Sequence, residues 1–113
     1  MILDLDHAMA VLKAREEALP WDLTLKFGGK DYTVRKLTRD EKQKLAAITP
    51  QTAVQDVRSL VRSFLDLAET DSISDEQTVA AAIAIAIAVA EQSKVLQQTL
   101  LKDLRSQANA SGE

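Results

Sequence analysis

The sequence predicts an α+β fold, mostly α: about four helices, one β-hairpin over residues about 21–36 packed on them, and a long C-terminal helix. Three observations carry this prediction. Val79 to Ala90 is an unbroken apolar run, VAAAIAIAIAVA; Trp21 to Phe27 alternates apolar and polar residues up to a Gly28-Gly29 pair; and Ser or Thr stands three residues ahead of Glu or Gln at two places where apolar periodicity begins. At 113 residues and 12.4 kDa the chain suits one modest core, so residues 1–113 are expected to form a single domain.

The first element, Leu3 to Leu19, reads as a short amphipathic helix. Leu5, Met9 and Leu12 share a face, Asp4 or Asp6 can cap the start, and Pro20 ends it. The period then changes to two. Trp21, Leu23, Leu25 and Phe27 alternate with Asp22, Thr24 and Lys26, which puts the large apolar side chains on one face of a strand. Gly28-Gly29 tolerates positive φ, and Tyr32 and Val34 alternate back, completing a hairpin whose apolar face must rest on helices.

Thr38-Arg39-Asp40-Glu41 is a capping box opening a short helix through Leu45 and Ile48. Thr49-Pro50 suggests an N-cap followed by proline at the first helical position of a third helix. Its stripe is Val54, Val57, Leu60, Val61, Phe64, Leu65 and Ala68, spaced by three and four. Glu69 to Asp75 is the expected loop, and Ser74-Asp75-Glu76-Gln77 is a second capping box. From there no Gly or Pro interrupts the helix before the small, polar tail that begins at Ser106, expected to fray over 106–113.

The apolar run is too short for the roughly 20 residues a bilayer core requires, so it is expected in a core or an interface rather than a membrane. Its Ile-Ala alternation fits a strand, but alanine and the flanks favour helix. On a helix, Ile83 and Ile87 share one face while Ile85 and Val89 lie on the other. The expected core is Leu23, Leu25, Phe27, Val34, Leu37, Leu45, Val57, Leu60, Val61, Phe64, Ile83 and Ile87. Ile85, Val89, Val95, Leu96, Leu100, Leu101 and Leu104 are the candidates for a partner or oligomer interface, because few elements remain to cover them.

Composition narrows the function classes. Four aromatic residues argue against a stacking platform for single-stranded nucleic acid. The lack of cysteine removes disulfides and thiolate chemistry, and with an acidic start unlike a signal peptide it fits a cytoplasmic protein. The net charge of -3 is uneven. Residues 26–44 hold seven basic residues against three acidic ones. Lys26, Lys30, Arg35, Lys36 and Arg39 are therefore a possible basic patch, although such runs are usually solvated faces. The single histidine, His7, has no other His or Cys to form a site with. The acids Asp71, Asp75 and Glu76 lack calcium-loop spacing. Gly28-Gly29-Lys30 lacks the P-loop pattern. No catalytic, cofactor or metal site is expected, and the chain reads as a binding or assembly protein rather than an enzyme.

WDLTLKFGGKDYTVRKLTRDEKQKL, residues 21 to 45, resembles the hairpin segment of small tail assembly chaperones of long-tailed bacteriophages, in which a GKxYxVRxLT pattern precedes a largely helical body. The match covers about a quarter of the chain, and the helix ahead of the hairpin departs from many members. The resemblance implies a protein that binds the long, hydrophobic tape measure protein during tail assembly, keeps it soluble, and leaves before the tail is complete. From its residues the chain is expected to associate with itself through the long helix, and no cofactor is expected. Two other readings stand beside it: a permanent structural subunit of a virion or other homo-oligomer, and a small nucleic-acid-binding regulator using the basic hairpin. The latter is the weaker, so nucleic acid is not the expected partner.

Overall fold

A computed structural model describes residues 1–67 and 72–111. The elements run α1 (Leu5–Ala18), β1 (Leu23–Phe27), β2 (Lys30–Val34), α2 (Arg39–Ala46), α3 (Val54–Phe64) and α4 (Asp75–Ser111), so the fold is α+β and mostly helical. The chain divides into two compact units: one is Trp21–Val89, the other Met1–Pro20 with the chain from Ala90 onward. Each unit takes one half of α4.

In the first unit, β1 and β2 pair antiparallel with Leu23 opposite Val34 and Phe27 opposite Lys30. Gly28 and Gly29 both have positive φ, 58° and 76°, the conformation a tight two-residue hairpin needs. Phe27 stacks on Tyr32 with ring centroids 4.4 Å apart. Beyond β2 the hairpin joins the end of α3. Leu65 leaves the helix in extended geometry and bridges Val34, while Arg35 N–H donates to the Phe64 carbonyl at 3.1 Å. Trp21 Nε1 donates to the Val34 carbonyl at 2.9 Å, closing the other side.

Both capping boxes form. Thr38 accepts from Glu41 N–H and Glu41 accepts from Thr38 N–H; Ser74 and Gln77 exchange the same pair at 3.1 and 2.9 Å. Thr49, however, caps an isolated turn. Its hydroxyl accepts from Gln51 N–H and its carbonyl from Thr52 N–H, and α3 starts only at Val54, behind an Ala53 that offers no side-chain cap. The Thr-Pro pair satisfies its own turn, and the chain then re-enters extended geometry before the helix begins. Ala68, expected on the α3 stripe, lies outside the described residues, as does Asp71.

The core of this unit gathers Val34, Leu37, Leu45, Val57, Val61, Phe64, Leu65, Ile73, Ala81, Ala82 and Ile85, with Leu23, Leu25, Phe27, Leu60 and Val89 half-buried against it. Two expected core residues are displaced. Ile85 is fully buried, whereas Ile83 and Ile87 are 56% and 59% exposed. The reason is angular: Ile85 stands about 200° from each of the other two on a helix. Ala81 and Ala82 flank Ile85 on the buried side, in one cluster with Val57, Val61 and Phe64 of α3. Thr78, also buried, satisfies its hydroxyl on the Ser74 carbonyl at 2.8 Å.

In the second unit, α1 is capped by Asp4, whose carboxylate accepts from His7 N–H at 3.0 Å. It runs antiparallel to the C-terminal half of α4: Asp4 N–H donates to Gln107 Oε1 at 2.6 Å, Gln107 Nε2 returns to the Asp4 carbonyl, and His7 Nε2 lies 3.5 Å from Asp103. The helix buries Ala8 rather than the Leu5–Met9–Leu12 stripe. Leu5 and Met9 are exposed and Leu12 half-buried, because the residues tied to α4, Asp4 and His7, stand on Ala8's side of the helix and not on that of the stripe. Residues 106–111 remain within α4.

Ile85→Ala should therefore cost roughly 2–4 kcal/mol in denaturant unfolding, while Ile83→Ala should change stability by less than about 0.5 kcal/mol. Urea midpoints of the two variants, compared at unchanged slope, check the assignment of faces.

Candidate functional site

Between Thr78 and Ala90 the helix carries no charged residue. Its inner side is committed to the core of the first unit. Its outer side presents Val79, Ile83 and Ile87, 44%, 56% and 59% exposed, one helical turn apart, with Ala80 and Ala86 exposed between them. Side chains four residues apart on a helix stand about 5–6 Å from one another, so the three form a continuous apolar ridge. The alanines beside it leave room for a second backbone. No group on this ridge can titrate, donate or accept through its side chain. What it can recognise is apolar shape.

By length and composition alone, Asp75–Ala110 could cross a membrane: its most apolar window has mean hydropathy 1.7, and 17% of it is buried. Ala81, Ala82 and Ile85 oppose that use. They belong to the core cluster with Val57, Val61 and Phe64, and a spanning helix would have to abandon those contacts.

The sequence-derived interface residues fall into three groups. Ile85 is core, a correction that comes from helix geometry, and Val89 packs half-buried against the same core. Val95 and Leu101 are exposed in the second unit, at 37% and 48%. Leu96, Leu100 and Leu104 are half-buried there, and a shallow groove beside α1 is lined by Leu12, Ser93, Leu96, Gln97 and Leu100. Ile83 and Ile87, expected in the core, are instead the exposed ridge, because the sequence shows two opposite isoleucine faces without showing which one is buried.

The basic segment contains a tie rather than an open cluster at its centre. The Arg35 guanidinium forms a two-pronged ion pair with Glu41, donates from Nε to the Ser63 carbonyl at 3.0 Å, and lies 5.7 Å over the Phe64 ring. Lys26, Lys30, Lys36 and Arg39 are exposed. Arg35 thus joins the end of β2 to α2 and α3 at once. No helix-periodicity rule finds this pair, since it spans a strand-to-helix corner. The available signal was Glu41 itself, fixed in orientation by its capping box. The Arg35 hydrogen bonds hold the Glu41 carboxyl at about 2, well below its ordinary 4.5, with the Thr38 bonds adding to the same effect.

His7 is exposed beside Asp103, and among the described residues no three His, Cys, Asp or Glu side chains are arranged to hold a metal ion. Comparison of the chain with protein-family models, curated proteins and solved structures gives no match.

The depressed Glu41 carboxyl carries a pH signature. Its contribution is complete above about pH 4.5 and is lost as pH falls from there toward about 2. With Arg35 half exposed, the pair is worth about 1 kcal/mol. Glu41→Gln should lower the neutral-pH urea midpoint and flatten its decline between pH 4.5 and 2; a decline as steep as that of the unsubstituted chain would assign the acid sensitivity elsewhere.

Proposed function

We propose that this chain is a non-catalytic assembly protein that holds an apolar helical client on the Val79–Ile83–Ile87 ridge of α4. The observation that carries the reading is the exposure of three large aliphatic side chains in register on a helix whose opposite face is fixed in a core. Covering such side chains is favourable by about 25 cal/mol per Å² of apolar area. A partner helix with apolar residues at the same three- and four-residue spacing is the natural occupant, because its ridges fit beside the exposed Ala80 and Ala86.

The resemblance of residues 21 to 45 to phage tail assembly chaperones supplies a candidate client, the long, hydrophobic tape measure protein. Under this reading the protein works in the cytoplasm and the ridge shields client helices until the tail forms around them. The hairpin and its Arg35–Glu41 tie then serve as scaffold, holding α3 as the surface on which α4 rests. That use of Arg35 weighs against a nucleic-acid role for the basic segment. A permanent structural subunit would employ the same ridge and would differ by staying in the finished particle.

Co-expression with a tape measure protein provides the test. Tagged chain should retain the client, whereas Ile83→Glu with Ile87→Glu should reduce capture at least about tenfold while keeping helical circular dichroism, since both side chains are already exposed. Undiminished capture by the double variant would remove the ridge from the client contact. Mass spectrometry of purified particles separates transient from permanent use: a chaperone is absent from them.

A further inference from the structure

We infer that α1 and the C-terminal half of α4 form a face that pairs with the same face of a second copy of this chain. The starting observation is that this unit has no core of its own. Among its described side chains only Ala8 is buried, while Leu5 and Met9 are 61% and 50% exposed and Leu12, Leu96 and Leu100 line an open groove. A 14-residue helix is about 21 Å long, at the limit of what persists in water without packing. Two polar ties, Gln107 to Asp4 and His7 to Asp103, orient α1 but bury almost no apolar surface. Two antiparallel helices with a shared apolar side are half of a four-helix bundle.

The flanking charges select the occupant. Turning outward from Leu5 and Met9, α1 carries Asp6 and Glu17 with Lys13 between them in sequence, while Glu16 stands between Leu5 and Met9 on the helix face and Arg15 lies on the opposite flank; turning outward from Leu101, α4 carries Lys102 and Arg105. Asp6, Glu17, Lys102 and Arg105 have no ion-pair partner among the described residues. When two such hairpins close on each other in a two-fold arrangement with α1 of one copy against α4 of the other, each acidic flank meets a basic flank, twice over by symmetry. An apolar client helix would leave all four charges unmatched. An anionic lipid surface would repel Asp6 and Glu17. The pairing does not rest on the client reading, because it uses none of Val79, Ile83 and Ile87.

Sedimentation equilibrium of the full chain over a concentration series tests this. The mass should rise from 12.4 kDa toward twice that value. Leu5→Lys with Met9→Lys should weaken dimerisation at least about tenfold with unchanged circular dichroism. Glu17→Lys should weaken it roughly two- to fivefold, as rim charges do, and Lys102→Glu with Arg105→Glu in the same chain should restore it. The Ile83→Glu, Ile87→Glu variant should remain dimeric even where it loses the client, so either proposal can fail alone. A monomer at every concentration overturns the pairing, as does a dimer indifferent to the Leu5 and Met9 substitutions. So does a chain that binds phosphatidylcholine–phosphatidylglycerol vesicles, or a client, through Leu5 and Met9 without dimerising.

Discussion

A helix that advances 100° per residue cannot bury Ile83, Ile85 and Ile87 against one surface. Which side of α4 enters the core and which stays open depends on how that constraint is resolved. Ile85 enters the core with Ala81 and Ala82 beside it, where burial of the isoleucine contributes about 1.5–3 kcal/mol. Ile83 and Ile87 are thereby turned outward, and with Val79 they remain uncovered at no gain to the fold. The same twelve-residue run therefore supplies both a core face and an exposed apolar face. Ala81 and Ala82 are buried beside Ile85, where a bulkier side chain would overpack the core.

The surface that receives Ile85 is itself assembled from non-local parts. Phe64 ends α3, its carbonyl accepts from Arg35 N–H, and Leu65 continues as a one-residue extension of the hairpin against Val34. Arg35 then reaches Glu41 in the first turn of α2, whose carboxylate also caps that helix. One arginine therefore links strand, helix start and helix end. Charge that looks in the sequence like part of a basic surface is, at this position, engaged in an intramolecular tie.

Local chemistry in the sequence was sufficient for the elements with their own start signals. Gly28-Gly29 set the hairpin, Thr38 with Glu41 set α2, and Ser74 with Gln77 set α4, because each depends on residues within four positions of one another. Choices made by tertiary packing were not legible. The sequence offers two isoleucine faces on α4 and a larger stripe on α1, yet Ile85 enters the core with α3 residues and Ala8 is the buried residue of α1. Thr49-Pro50 failed as a helix start for a different reason: the threonine finds its partners within its own turn.

α4 is divided into a buried Ile85 face and an open Ile83–Ile87 face. The chain contains no cysteine, so Ile83→Cys, Ile85→Cys and Ile87→Cys can each be labelled alone with a water-soluble maleimide. Positions 83 and 87 should react at close to the rate of the unfolded chain, and position 85 should be slowed by about 100-fold or more, reacting only when the core opens. Labelling at position 85 as fast as at 83 and 87 would contradict the division.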